Sequence, residues 1–299
     1  MKLSSIMKPF VFFTLGDWGG YTPNSLKMMS HIADQFSFVA KYKPPEFICA
    51  LGDNFYDQGI DSEDSERWNT HYNDIYIKPY PNLHNVPWYA ILGNHDYYGG
   101  LKSINAEISH TAKSKNWNLP YYYYYFCDPT NSAYFIYIDT CNIYPELYEE
   151  TDELIIEYER FLTLSFLREK LKEAKKNNAK WIFVFGHYHI FSNGFYANYE
   201  IMEKRLLPLL IEYDVDIYFC GHDHTFQHLK YKNTHFIVNG AGTYYANVTK
   251  ENNNPEVETK FVTESNGFTF HDVTDNSFSI NFRNYKGETE YSYTIKKEN

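Results

Sequence analysis

The sequence predicts an α/β protein in which two sheets face each other with helices on both outer sides. Two features carry that expectation. Over the first three-quarters of the chain, short apolar runs alternate with helical patterns, the order that builds a largely parallel sheet with helices outside it. After His224 the texture changes to short alternating runs without helices between them, which favours antiparallel pairing.

The elements follow in order. A first strand is expected over about 10–15, where Phe10-Val11-Phe12-Phe13 runs into Gly16-Asp17; it reads as a core strand and not as a signal segment. A helix over about 24–42, a strand at 46–51, a helix over about 62–76 and a strand at 88–92 come next, then a less regular stretch to about 118. Strands at 121–127 and 133–139 precede a long helical pattern over about 151–178, a strand at 181–186, a helix near 199–213 and a strand at 216–220. The tail offers Thr234–Val238, Gly267–Val273, Phe278–Phe282 and Glu290–Ile295, with the Asn-rich stretch Lys250–Glu258 expected as an exposed loop. No linker divides the chain, so one domain over 9–299 is expected behind a short lead, 1–8.

Composition narrows the classes. The chain has 299 residues and can bury a sizeable core; its 30 Tyr and 23 Phe fit an AT-rich genome as readily as a function. With 27 basic against 38 acidic residues it carries a charge of −11 and no Lys/Arg cluster, which disfavours nucleic acid as a partner. An acidic protein still binds anions when a metal centre supplies local positive charge. Cys49 and Cys220 lie inside apolar runs as core residues, and with Cys127 and Cys141 they form no C-x-x-C pair. No run reaches the roughly 18 apolar residues that span a bilayer.

Five apolar runs end in similar clusters: Gly16-Asp17-Trp18-Gly19, Gly52-Asp53-Asn54-Phe55-Tyr56, Gly93-Asn94-His95-Asp96, Gly186-His187-Tyr188-His189 and Gly221-His222-Asp223-His224. A single Asp after a strand is ordinarily a turn residue. Five such strand ends together read as one metal site, because ligands of α/β sheets gather outside the carboxyl ends of the strands. Asp17 and Asp53 offer carboxylates, Tyr56 a phenolate, Asn94 an amide oxygen, and His187, His222 and His224 imidazoles. Seven candidate ligands exceed one tetrahedral site and suit two ions sharing a carboxylate, with positions left open for water and substrate. Such a pair clamps a phosphate for in-line displacement, so a phosphoester hydrolase follows from the ligands alone. His228, His235 and His271 in the tail read as surface or core residues, and the tyrosines 121–125 as a strand packed in the core.

The motifs GDWGG, ALGDNFYDQGI, NVPWYAILGNHD, FGHYH and CGHDHTFQHL resemble, in order, those of the small, tartrate-resistant type of purple acid phosphatase in the calcineurin-like metallophosphoesterase superfamily. The resemblance implies a four-layer αββα sandwich of two mixed sheets flanked by helices. It also implies an Fe(III) ion beside Fe(II), Zn(II) or Mn(II). Carried over by motif, Asp17, Tyr56 and His224 would bind Fe(III), Asp53 would bridge, and Asn94, His187 and His222 would complete the divalent site. Phosphate monoesters, on small molecules or phosphoproteins, would be cleaved through a metal-bound hydroxide in a monomeric enzyme without nucleic-acid or membrane partners. Asn94 and His95 would contact the phosphate, and His95 would protonate the leaving oxygen.

Tyr56 discriminates within the superfamily: Ser/Thr phosphatases resemble G-D-x-x-D-R here, and this chain has Tyr56-Asp57-Gln58. Two positions depart from the family pattern. The family's H-Y-P becomes His187-Tyr188-His189, and Asn193 stands where a second histidine precedes Gly194. Either His189 supplies the missing acid/base group or the role rests on His95 alone. The family's disulfide would begin near Cys141, but no cysteine lies between 142 and 219; with no signal segment visible, a cytoplasmic location is expected over a secretory or lysosomal one. Asn247-Val248-Thr249 matches a glycosylation acceptor that matters only on the secretory route. The alternatives are a Zn/Mn phosphodiesterase or phosphoprotein phosphatase, and an inactive scaffold on the same fold.

Overall fold

The computed structural model describes residues 7–130, 132–144 and 153–298. Most of the expected lead and the start of the helix expected from about 151 lie outside the described residues. The strands are β1 (Phe10–Leu15), β2 (Phe47–Ala50), β3 (Trp88–Ala90), β4 (Trp117–Asn118), β5 (Tyr124–Cys127), β6 (Ala133–Tyr137) and β7 (Trp181–Phe185). They continue with β8 (Ile217–Cys220), β9 (Phe226–Tyr231), β10 (Thr234–Asn239), β11 (Glu258–Thr263), β12 (Gly267–Val273), β13 (Ser277–Asn284) and β14 (Thr289–Lys296). Two seven-stranded sheets result, ordered β14-β13-β12-β1-β2-β3-β4 and β11-β9-β10-β8-β7-β6-β5. Both are mixed: β1 to β4 and β6-β7-β8-β10 run parallel, and the remaining pairs are antiparallel.

Strand alternation distributes the core. On β1, β2, β6, β7 and β8, Phe12, Phe47, Cys49, Phe135, Tyr137, Phe183, Phe185 and Phe219 face the opposing sheet. Their sequence neighbours Phe13, Leu15, Ile48 and Ala50 pack under the helix Pro23–Ala40, and Ile136, Val184 and Tyr218 pack under Glu153–Lys176 and Leu207–Glu212. Phe12 is the hub between the sheets, its ring edge-on to Phe135, Phe183 and Phe219 at 5.7, 5.8 and 5.9 Å. Much of the aromatic content therefore fills the layer between the sheets, where ring pairs add to the burial of area.

Local signals place the helices. Thr22 caps Pro23–Ala40 through a capping box with Ser25, and Pro23 starts it; Met29, Ile32, Ala33 and Phe36 form the buried stripe. The helix expected over about 62–76 is a wide-turned stretch at Trp68–Ile77. The one near 199–213 splits into Glu200–Arg205 and Leu207–Glu212, because Pro208 brings no amide hydrogen to continue it.

Three expectations are corrected. The stretch to about 118 contains the helices Asn94–Tyr98 and Gly100–His110 and the strand β4. The tail, expected to pair antiparallel, also contributes β10 in parallel to β8, and it divides: β9 to β11 join the second sheet, and β12 to β14 extend the first beyond β1. Residues 121–123 precede β5 and are not part of it; Tyr123 packs on Phe166 and Tyr124 donates to the Ala90 carbonyl oxygen at 2.7 Å. Among the described residues, Cys49, Cys127, Cys141 and Cys220 form no disulfide. Among the described residues no helix is long and apolar enough to cross a membrane.

His228, His235 and His271 are core residues. Burial pushes His271 down to about 3, and burial with Lys230 and Lys260 pushes His235 down to about 4. The unfolded chain takes up these protons near 6.5, so their contribution to stability is complete above that value and is lost as the pH falls toward 3–4. Burial holds the Asp96 and Asp139 carboxyls up, at about 7 and about 6, and they act in the opposite sense. The imidazole effect is therefore read as a difference. In thermal melts between about pH 6.5 and 4, His271→Leu should lose less of its midpoint than the parent protein; parallel profiles would contradict the assignment.

Candidate metal centre

The parallel registers bring the strand ends level: Leu15 faces Ala50, Ala50 faces Ala90, and Phe185 faces Phe219. Asp17, Asp53 and Asn94 follow the first three strands, and His187, His222 and His224 follow β7 and β8 of the other sheet. The sheets are joined at this edge by the His222 amide, which donates to Asp17 Oδ2 at 2.8 Å, and by the Gly242 amide, which donates to the Gly16 carbonyl at 3.0 Å. Asp17, Asp53 and His222 all have positive φ, at 56°, 51° and 67°. A left-handed conformation at a residue with a side chain is strained, and such strain clusters at functional sites. Close approach also fixes two glycines: a Cβ on Gly93 would lie 2.3 Å from Asp53 Oδ1, and one on Gly221 would lie 2.3 Å from Asp17 Oδ2.

The candidate ligands form two groups. In the first, Tyr56 Oη lies 3.2 Å from Asp17 Oδ1 and 3.1 Å from His224 Nε2, which is 3.4 Å from Asp17 Oδ1. In the second, Asn94 Oδ1 lies 3.0 Å from His187 Nε2 and 2.9 Å from His222 Nδ1. Asp53 reaches both, with Oδ1 at 3.4 Å from His187 Nε2 and a side-chain hydrogen bond with Tyr56. Atoms bound at about 2.1 Å to a shared centre sit roughly 3.0–3.4 Å apart, so both groups have the spacing of a coordination shell. The donor chemistry agrees. His187 Nδ1 donates to the Leu51 carbonyl at 2.8 Å, which leaves the neutral ring's Nε2 lone pair facing two oxygen acceptors. Acceptors that converge without a donor between them fit a cation.

Charge makes the same demand. Burial raises the Asp17 carboxyl, and burial with the Asp17 and Asp53 carboxylates pushes the Tyr56 phenol well above its ordinary value. Burial opposes protonation of His187, but Asp53 and Asp17 outweigh it and raise its pKa; burial likewise opposes protonation of His224, which its bond to Asp17 reverses. His222 is driven down by burial and by the rings of His187, His189, His224 and His95. Positive charge is thus favoured at this point between the carboxylates, and metal cations would supply it.

His95 stands outside both groups. Its Nδ1 donates to the Asp57 carbonyl at 2.6 Å, with the Asp57 carboxylate at 3.3 Å, and its ring lies edge-on to Tyr56 at 4.3 Å. That bond leaves Nε2 as the nitrogen for a ligand. His189 is placed differently. It is fully buried, its Nε2 is engaged by the Ala197 carbonyl at 2.7 Å, and its ring stacks on Tyr199 and lies behind His222.

The structure adds residues the sequence did not single out. Asp96 accepts the amides of Asn54, Phe55 and Gly93 at 2.9, 3.1 and 2.8 Å, tying two of the loops together. Tyr199 Oη meets His222 Nε2 at 3.0 Å, and Tyr98 Oη accepts from Asn94 Nδ2 at 3.1 Å. Tyr196 lies over His222 with ring centres 4.5 Å apart, and Tyr244 lies 5.6 Å from His224. Tyr98 was open to discovery, since it falls one helical turn after Asn94. Asp96 lies on the same short helix, and Tyr196, Tyr199 and Tyr244 sit on loops without periodicity.

Residues 10–226 match the calcineurin-like phosphoesterase family. The chain is 30% identical to tartrate-resistant acid phosphatase type 5 of Oryctolagus cuniculus, covering 96% of this chain and 90% of that one. It is 28% identical to purple acid phosphatase 17 of Arabidopsis thaliana over 96% of this chain and 84% of the relative. Among solved structures it is similar to GAP50, described as the anchor in the inner membrane complex of Plasmodium, with TM-score 0.81, 25% identity, and 97% and 90% of the two chains covered. The fold is shared with the yellow lupin purple acid phosphatase PPD1, at TM-score 0.69 and 18% identity over 97% of this chain and 54% of that one.

Gly93→Ala should push Asp53 and His187 apart while leaving the sheets intact. Calorimetric titration with Zn(II) should show affinity reduced about 10- to 100-fold. Parental affinity in the variant would contradict the close packing at this glycine.

Proposed function

The chain belongs to the calcineurin-like phosphoesterase family, whose chemistry is metal-dependent phosphoester hydrolysis, and we propose that it is an acid phosphatase of the purple type acting on phosphate monoesters. The observation that carries this is the Tyr56 phenol oxygen, 3.2 Å from Asp17 Oδ1 and 3.1 Å from His224 Nε2. A phenolate beside a carboxylate is a hard, anionic donor pair and suits an oxidised iron. Asp17, Tyr56 and His224 would hold Fe(III); Asn94, His187 and His222 would hold Fe(II), Zn(II) or Mn(II), with Asp53 shared. Two such cations, when bound, neutralise a phosphate and acidify the attacking water.

The chain's own side chains do the rest. Tyr98 orients the Asn94 amide, and Tyr199 orients His222. His95, with Nδ1 engaged by the Asp57 carbonyl, presents Nε2 to the leaving oxygen, and the Asp57 carboxylate supports the protonated ring. His189 acts through His222 as a positioning residue, because its Nε2 is engaged by Ala197, so the acid role rests on His95. Since β12 to β14 complete the sheet that β1 begins, we infer one domain over 9–299. Four cysteines that form no disulfide among the described residues suit a reducing, cytosol-like compartment.

A second reading is favoured by the likeness to GAP50, an anchor: a scaffold without turnover. Metal content and 4-nitrophenyl phosphate hydrolysis separate the two; a protein that holds no iron, zinc or manganese and turns nothing over is the scaffold. As isolated, the phosphatase should absorb visible light through an Fe(III)–phenolate pair, and Tyr56→Phe should abolish that band; a variant that stayed coloured would sink the assignment. His95→Gln should lower kcat about 100- to 1,000-fold and remove a limb of the pH–rate profile. Loss of metal, or an unchanged profile, would instead give His95 a structural role.

A further inference from the structure

One strand end at the edge of the metal centre carries no ligand. Strand β6 runs parallel to β7 with Tyr137 facing Phe185, and the Ile138 amide donates to the Phe185 carbonyl at 2.9 Å. Asp139 and Thr140 therefore come level with Gly186 and His187. Both are fully buried, and neither is among the converging ligands.

Thr140 holds the turn that presents His187. Its Oγ1 accepts the amides of His187 and Tyr188, both at 2.9 Å, and a Cβ on Gly186 would lie 2.5 Å from its methyl group. A hydroxyl oxygen has two lone pairs, so one side chain fixes two successive peptide planes at this position. Asp139 reaches toward the other sheet. Its carboxylate accepts the Cys141 amide at 2.9 Å, Asn142 Nδ2 at 3.1 Å and the Tyr97 phenol. Tyr97 lies on the helix Asn94–Tyr98, so this last bond fastens the element that presents Asn94. Adjacent residues of one strand end thus secure the backbones behind Asn94 and His187, whose Oδ1 and Nε2 stand 3.0 Å apart. Among the described residues neither is bonded to Asp17, Tyr56 or His224.

We propose that Asp139 and Thr140 are positioning residues of the second ligand group: they set the separation of Asn94 from His187 and thereby tune the divalent site without acting on the first group. The role rests on the assignment of Asn94, His187 and His222 to one cation under the function proposed above. It follows from how ligands are held. Hydrogen bonds behind a ligand fix its orientation before the cation arrives, and an unfixed ligand loses affinity to its own freedom of movement.

Metal binding tests it apart from turnover. Thr140→Val keeps a methyl group beside Gly186 and removes the acceptor, Thr140→Ser keeps the acceptor, and Tyr97→Phe opens the bond to Asp139 from a half-buried position. In calorimetric titration of the Fe(III)-loaded protein with Zn(II), Thr140→Val should bind about 10- to 100-fold more weakly than the parent and Tyr97→Phe about 3- to 10-fold, with Thr140→Ser within about 3-fold of the parent. The visible band of Fe(III) with Tyr56 should keep its position in all three, because its ligands belong to the other group. Thr163→Val, at a buried threonine on Glu153–Lys176, should bind Zn(II) as the parent does. Where Thr140→Val does not fold, the Tyr97→Phe titration decides alone. Unchanged zinc affinity in Thr140→Val or Tyr97→Phe, a serine variant no better than the valine one, or a visible band lost together with zinc would overturn the proposal. If the selective loss is seen but the parent hydrolyses no phosphomonoester, the positioning role stands and the hydrolytic function falls. If the parent is a phosphatase and either variant takes up zinc as it does, only the positioning role falls; if the Fe(III)-loaded parent takes up no zinc, the second group and its positioning fall together.

Discussion

Two carboxylates, Asp17 and Asp53, are buried at the ends of neighbouring strands, with their oxygens and His187 Nε2 all within 4.8 Å of one another. Buried anions this close repel each other and have lost their water, so something positive must stand between them. Every other feature of the centre answers that requirement. The carboxylates raise the pKa of His187 and His224 against the pull of burial, and Tyr56 and Asn94 turn oxygens inward to complete the two groups. The sheets themselves are joined there, because the amide of His222 donates to Asp17.

Such an arrangement is held by force from elsewhere. Three of the converging residues have positive φ, each costing on the order of 1–3 kcal/mol, and Gly93 and Gly221 leave no space for a methyl group. The compensation lies below, in the layer where Phe12, Phe135, Phe183 and Phe219 interlock between the sheets. A rigid core of large rings keeps the strand ends level, and level strand ends are what the two ligand groups require. The same layer gives much of the aromatic content a structural explanation that composition could not distinguish from genomic bias.

Strand ends were the most legible part of the chain. A run such as Asp216-Ile217-Tyr218-Phe219-Cys220 followed by Gly221-His222-Asp223-His224 carries its own period, its own turn and its own chemistry. The helices at 94–110 were not legible, because Gly99 and Gly100 interrupt the pattern and glycines, Gly93 and Gly99, stand at both N-caps in place of Ser, Thr, Asp or Asn. Strand β11 was hidden in a polar, Asn-rich context and is strand only because β9 offers it an edge. His189 shows the limit most clearly. Its spacing from His187 suggested a group facing substrate, but the backbone after β7 turns its ring under His222 and engages its Nε2 with Ala197.

By itself the sequence determined the alternation of strands and helices, the donor types at the five strand ends and the family to which they point, because period, turn residues and ligand chemistry are local properties. Only the tertiary structure decided that the tail divides between the two sheets, that Asp53 stands between two groups of ligands, and that Tyr98, Tyr196 and Tyr244 lie against His95, His222 and Tyr56. Those relations join residues from separate strands and loops, and no local pattern encodes a distance set by how two sheets pack.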